Sequence, residues 1–94
     1  MIRHIVMFTA KNPDEIDAVY NGLKMLETIE GDWHLSVTKN KKVDQIGNDI
    51  DVVVYGEFPD EQALARYKAD PIYTECIGVV RPIRDKRIAV DIAA

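Results

Sequence analysis

The chain has 94 residues, of which 47% are apolar and 30% charged. That composition excludes a disordered chain, and the length fits a single domain over residues 1–94. A net charge of -4 and a pI near 5.0 argue against nucleic-acid binding, which needs clustered Lys and Arg to neutralise phosphates.

The only cysteine is Cys76, so there is no intramolecular disulfide and no Cys-based zinc site. It sits among Ile72, Ile77, Val79 and Val80, which points to a buried, inert thiol. No signal-peptide pattern opens the chain. No apolar run approaches the roughly 20 residues of a membrane span. The expectation is a soluble, cytoplasmic protein without membrane contact. A domain this small buries only about 60–65% of the surface its unfolded chain exposes, so some of its apolar surface is expected to meet a partner.

Ile2 to Thr9 alternates as a strand. Ile2, His4, Val6 and Phe8 share one face, and Arg3, Ile5, Met7 and Thr9 the other. Both faces are largely apolar, so both are expected to be covered. Asn12-Pro13-Asp14-Glu15 predicts a helix start, with Asn12 as N-cap, Pro13 in the first helical position and Glu15 as a capping-box partner. Ile16, Val19, Tyr20, Leu23, Leu26 and Ile29 then repeat at helical spacing up to Gly31. Gly22 inside that stripe costs about 1 kcal/mol against Ala unless close packing requires it.

Trp33 to Val43 predicts a strand, with Trp33, Leu35 and Val37 on one face and a lysine-rich end typical of sheet edges. A turn over Gln45–Asp49 leads to Ile50–Phe58, the most strand-like run, apolar on both faces. Pro59-Asp60-Glu61 opens a second helix bearing Ala63, Leu64 and Tyr67. It stops at Ala69, because Pro71 disfavours helix in the residue before it. Asp70 caps a new helix with Pro71 in its first position. That helix carries Ile72, Cys76, Val79 and Val80. Arg84 to Ile92 is a last strand, with Ile88, Val90 and Ile92 expected to point inward.

The order strand, helix, strand, strand, helix, strand is the ferredoxin-like split βαβ arrangement, an α+β fold. Both helices fall on one face of a four-stranded antiparallel sheet. The apolar second faces of the first and third strands predict a homodimer with the two sheets packed face to face.

Three segments now resemble one family. They are the opening Met1-Ile2-Arg3-His4-Ile5-Val6-Met7-Phe8, the Tyr67-x-x-Asp70-Pro71 break, and the closing Arg87-x-x-x-Asp91. Together they resemble the stress-responsive A/B barrel (Dabb) family over nearly the whole chain. The resemblance implies a dimeric α/β barrel of two ferredoxin-like subunits, each with a small cavity between sheet and helices. Most members have no assigned activity. One plant member type is a polyketide cyclase that closes a ring by aldol chemistry without a cofactor, using a His and a Tyr. By that resemblance Tyr67 matches the cyclase's substrate-orienting tyrosine, and His4 matches a histidine common in the first strand. The family's usual His-Pro is Asp70-Pro71 here, and the position of the cyclase's general base is Tyr73.

Imidazole exchanges a proton near neutral pH, whereas a phenol with a pKa near 10 does not act as base unless strongly perturbed. Cyclase chemistry by the known route is therefore not expected, and the sequence leans away from an enzyme. The candidate ligand-binding residues are His4, Tyr67, Asp70 and Tyr73, and the candidate catalytic residues are His4, Tyr67 and Tyr73. Each has an ordinary structural reading beside it. The tyrosines can be core residues with a satisfied hydroxyl, Asp70 a helix cap, and His4 a hydrogen-bonded core histidine. Arg81, Arg84 and Arg87 with Lys86 form a basic cluster that can bind an anion or pair with Asp85 and Asp91. No cofactor or metal is expected, since neither histidine has ligand spacing. The leading expectation is a homodimer binding a small, partly apolar molecule. The alternative is a cofactor-independent cyclase-like or oxygenase-like enzyme on an aromatic substrate, with His4 as base.

Overall fold

The computed structural model describes residues 1–94. Strand β1 (Ile2–Ala10) lies inside the sheet. It pairs antiparallel with β3 (Val52–Phe58) on one side and with β4 (Arg84–Ala93) on the other. Strand β2 (His34–Lys39) extends the sheet beyond β3, giving the order β2-β3-β1-β4. This is the ferredoxin-like topology: two crossovers and a central β2–β3 hairpin.

Helices α1 (Ile16–Lys24), α2 (Glu61–Ala69) and α3 (Pro71–Val80) cover one face. The alternation of β1 sends His4, Val6 and Phe8 beneath them, all buried. Val52, Val54 and Phe58 of β3 and Val37 of β2 join them. From the helices come Val19, Leu23, Tyr67, Cys76 and Val80. Each fully buried aliphatic or aromatic side chain contributes about 1.5–3 kcal/mol.

The first helical region is one continuous stripe in the sequence but three segments in the fold. Short 3-10 turns, Pro13–Glu15 and Met25–Thr28, flank α1. Asn12 makes no side-chain cap to the backbone. Its amide donates instead to the Glu15 carboxylate at 2.9 Å. The stripe itself is buried as its spacing requires, through Val19, Leu23, Leu26 and Ile29. Gly22 has its packing reason: a Cβ there would stand 2.9 Å from Cγ2 of Val80. The missing side chain lets α1 and α3 touch, and the Cys76 thiol donates to the Gly22 carbonyl at 3.4 Å.

Strand β2 is shorter than Trp33–Val43. Beyond Lys39 the chain leaves the sheet, and Asn40 turns its side-chain amide to the Ile50 carbonyl at 2.7 Å. The break at Asp70 falls where the proline rule places it. Asp70 accepts from the Ile72 amide at 2.9 Å, and Asp60 caps α2 through Ala63 at 2.8 Å.

The inward placement of Ile88, Val90 and Ile92 is corrected. Ile88 pairs with Met7, Val90 with Ile5 and Ile92 with Arg3, so all three lie on the face away from the helices. They are 45%, 42% and 45% exposed. Simple alternation defines two faces but not which one is inward; the pairing with β1 decides it. That second face also carries Ile5, Met7, Val53 and Tyr55, so it is apolar across three strands. No helix of the protein is long and apolar enough to cross a membrane.

Candidate functional site

A cavity of about 310 Å³ lies between the helices and the sheet. Its floor is the helix side of β1, with His4, Val6 and Phe8. Its roof is α3 with Tyr73, Cys76, Ile77 and Val80, joined by Leu23 and Tyr67. Strand β4 is exposed along almost its whole length, even at Ala89 opposite Val6. The helices stop short of this edge, and the cavity opens beside it.

His4 is buried at the cavity wall. Pairing of β1 with β4 sets it directly across from Asp91. Its Nδ1 lies 2.6 Å from Oδ1 of Asp91. A carboxylate on Nδ1 holds that nitrogen as the donor and leaves the lone pair of the neutral ring on Nε2. Burial pulls the His4 pKa below its ordinary value and outweighs the Asp91 hydrogen bond and charge, which pull it up; Lys68 and Arg87 add to the lowering. The ring is therefore neutral at pH 7, with a basic nitrogen free of protein partners. No side-chain nitrogen or oxygen sealed from solvent lacks a partner in this protein. The Nε2 of His4 and the hydroxyl of Tyr67 have none within the chain, so both open on the cavity that their residues line.

Tyr67 is held by rings on all sides. Phe58 lies 5.1 Å away between centroids, Tyr73 5.2 Å, Trp33 6.0 Å and His4 6.4 Å. Burial, with smaller contributions from Tyr73 and Cys76, pushes its pKa far above that of a free phenol. It stays a neutral donor at any physiological pH. Gly56 makes room for this cluster: a Cβ there would meet Cε1 of Phe58 at 2.5 Å. Cys76 also lines the cavity, but burial pushes its thiol up to about 11, so it is not a thiolate nucleophile.

The fold thus brings together three of the four residues singled out from sequence: His4, Tyr67 and Tyr73. Asp70 does not line the cavity; its carboxylate is committed to capping α3. His34 is exposed on the opposite face of β2. Sequence reasoning misses Asp91 as the partner of His4. The antiparallel register of the first and last strands is the signal that could find it. It also leaves the basic cluster undecided. Neither Asp85 nor Asp91 pairs with it, and the five ion pairs of the chain lie elsewhere. No group of three or more His, Cys, Asp or Glu side chains is arranged to hold a metal ion.

The family model of the stress responsive A/B barrel domain matches residues 2–94. The chain belongs to this family. Among solved structures, this Dabb chain is similar to a Dabb family protein with a ferredoxin-like fold from Mesorhizobium loti. The identity is 24%, the TM-score 0.79, and the match covers 99% of this chain and 95% of that one. It is similar to a dimeric ferredoxin-like protein of unknown function from Thermobifida fusca, at 21% identity and TM-score 0.80, covering 99% and 90%. A structure described as an antibiotic biosynthesis monooxygenase matches at 22% identity and TM-score 0.69, covering 100% and 98%. At these identities the likeness shows the ferredoxin-like fold alone. A comparison with curated protein sequences yields no match.

Proposed function

We propose that this Dabb protein is a homodimer that takes a small, partly apolar molecule into the cavity between its sheet and its helices. The observation that carries the reading is the cavity itself. It is about 310 Å³, walled mainly by apolar side chains, with His4 and Tyr67 each turning an unused polar atom into it. Apolar walls with a few convergent polar groups are the usual make-up of a ligand site. A cavity of about 150 Å³ takes a benzene ring, so one or two rings fit here. The homodimer reading is supported by the apolar second face of the sheet and by relatives described as dimeric. The reading is tested by thermal denaturation with a panel of small aromatics. A binder raises the melting temperature progressively with concentration. A flat melting temperature across the panel at millimolar concentrations overturns it.

A second reading is favoured by the His4–Asp91 pair. A carboxylate-oriented neutral imidazole beside a neutral phenol is suited to cofactor-independent proton transfer. His4 Nε2 would take a proton from carbon next to a carbonyl, and the Tyr67 hydroxyl would donate to the enolate oxygen that forms. Tyr73 stands where the cyclase of this family has its base, so His4 would carry that role here. Deuterium exchange into the methyl group of acetophenone reads this step directly. The second reading requires acceleration by the native protein and its loss in His4→Gln. Equal rates for the two proteins, or no acceleration by either, remove it.

A further inference from the structure

The chain carries more acid than base, yet three arginines gather on one cavity. Arg81 follows the last turn of α3, while Arg84 and Arg87 come from β4. Residues three apart in a regular strand point to opposite faces. These two share a face because the pairing of β4 slips between Phe8 and Ala10. Phe8 pairs with Arg87, but Ala10 pairs with Arg84. The extra residue is a bulge, held where the Lys86 amide donates to the Thr9 hydroxyl at 2.9 Å. Bulges commonly re-aim side chains next to functional sites. None of the three guanidinium groups has an acidic partner within the chain, although Arg66 and Lys42 do. Arg87 also acts electrostatically on both His4 and Tyr67, lowering the pKa of each. The basic group and the two polar atoms therefore serve one space.

We infer that the cavity selects an apolar anion, with a ring or short acyl body in its depth and a carboxylate or phosphate group among Arg81, Arg84 and Arg87. Guanidinium groups match both oxyanions with paired N–H donors. Apolar walls select the body, and cations at the opening select the charge. The inference rests on the cavity reading above and narrows its ligand class.

The test is calorimetric titration of the full chain with 1-naphthoate, 1-naphthamide and inorganic phosphate. The expected result is that naphthoate binds tighter than naphthamide by roughly tenfold or more, the scale of one charge-assisted hydrogen bond. The preference should shrink with added salt and collapse in the Arg84→Gln/Arg87→Gln double variant. Arg66→Gln, which removes a surface arginine paired with Asp32, should leave naphthoate binding unchanged. Circular dichroism and a melting curve show that each variant is folded. Equal affinity for the acid and the amide overturns the anion inference and leaves the cavity reading standing. Phosphate binding as tightly as naphthoate also overturns it, since the site would then be a plain anion site. Binding of none of the three overturns the anion inference, while the melting-temperature panel of small aromatics decides the cavity reading separately.

Discussion

His4 is the residue on which stability and the candidate site meet. It is 1% exposed, and its burial holds the folded pKa below the ordinary 6.5. The unfolded chain therefore takes up a proton that the folded chain resists. Stability from neutral His4 is complete above that ordinary value and is lost as pH falls through the lower folded one. Urea midpoints should drop between pH 7.5 and pH 5 in the native protein and drop less in His4→Gln; equal slopes would contradict this. Gly56 is a second sensitive position. Its neighbour Phe58 is fully buried against Trp33 and Tyr67, so the ring cannot swing away from an added methyl. Gly56→Ala should cost about 1–3 kcal/mol by overpacking, read from the urea transition. Single residues are unevenly legible in the sequence. The cap at Asp70 and the inert Cys76 follow from local rules. The Asp91 partner of His4 does not, because 87 positions separate them and only strand pairing joins them.

At the scale of elements, the Asp70-Pro71 junction makes two helices of what would otherwise run as one. Pro71 ends α2 by restricting Asp70, whose extended backbone then starts α3. Asp70→Ala should cost about 0.5–2 kcal/mol through loss of the cap. Because Asp70 does not line the cavity, ligand affinity in that variant should change far less than stability. A parallel loss of both would show that the carboxylate serves the site after all. The elements themselves are mostly visible in the sequence, since their apolar periods of two and 3.6 differ plainly. Their ends are less so: lysines continue past Lys39 with only Asn40 between them, and the backbone tightens into 3-10 turns around α1 without changing the apolar stripe. The facing of β4 is hidden because its alternation runs between an apolar set and a set that mixes arginine, alanine and aspartate. Ile88, Val90 and Ile92 look like core until β1 fixes which side they take.

At the scale of the whole molecule, the sheet has two apolar faces and helices for only one of them. On the proposed homodimer, a second copy of the chain would cover the other, with its exposed Ile88, Val90 and Ile92. Val90→Glu should shift the protein to monomer in sedimentation velocity while leaving the far-UV spectrum unchanged. A native protein that sediments as a monomer at micromolar concentration would contradict the dimer. The overall topology is legible in the sequence, because the order of elements and the hairpin leave few other arrangements. The cavity is not, since an unfilled volume depends on side-chain sizes from β1, β3, β4 and all three helices at once. If that volume is the ligand site, an amide-resolved NMR titration with 1-naphthoate should give saturable shifts at His4, Tyr67, Ile77 and Arg87, with His34 and Lys39 unmoved. Shifts confined to the open sheet face, or none that saturate, would contradict it.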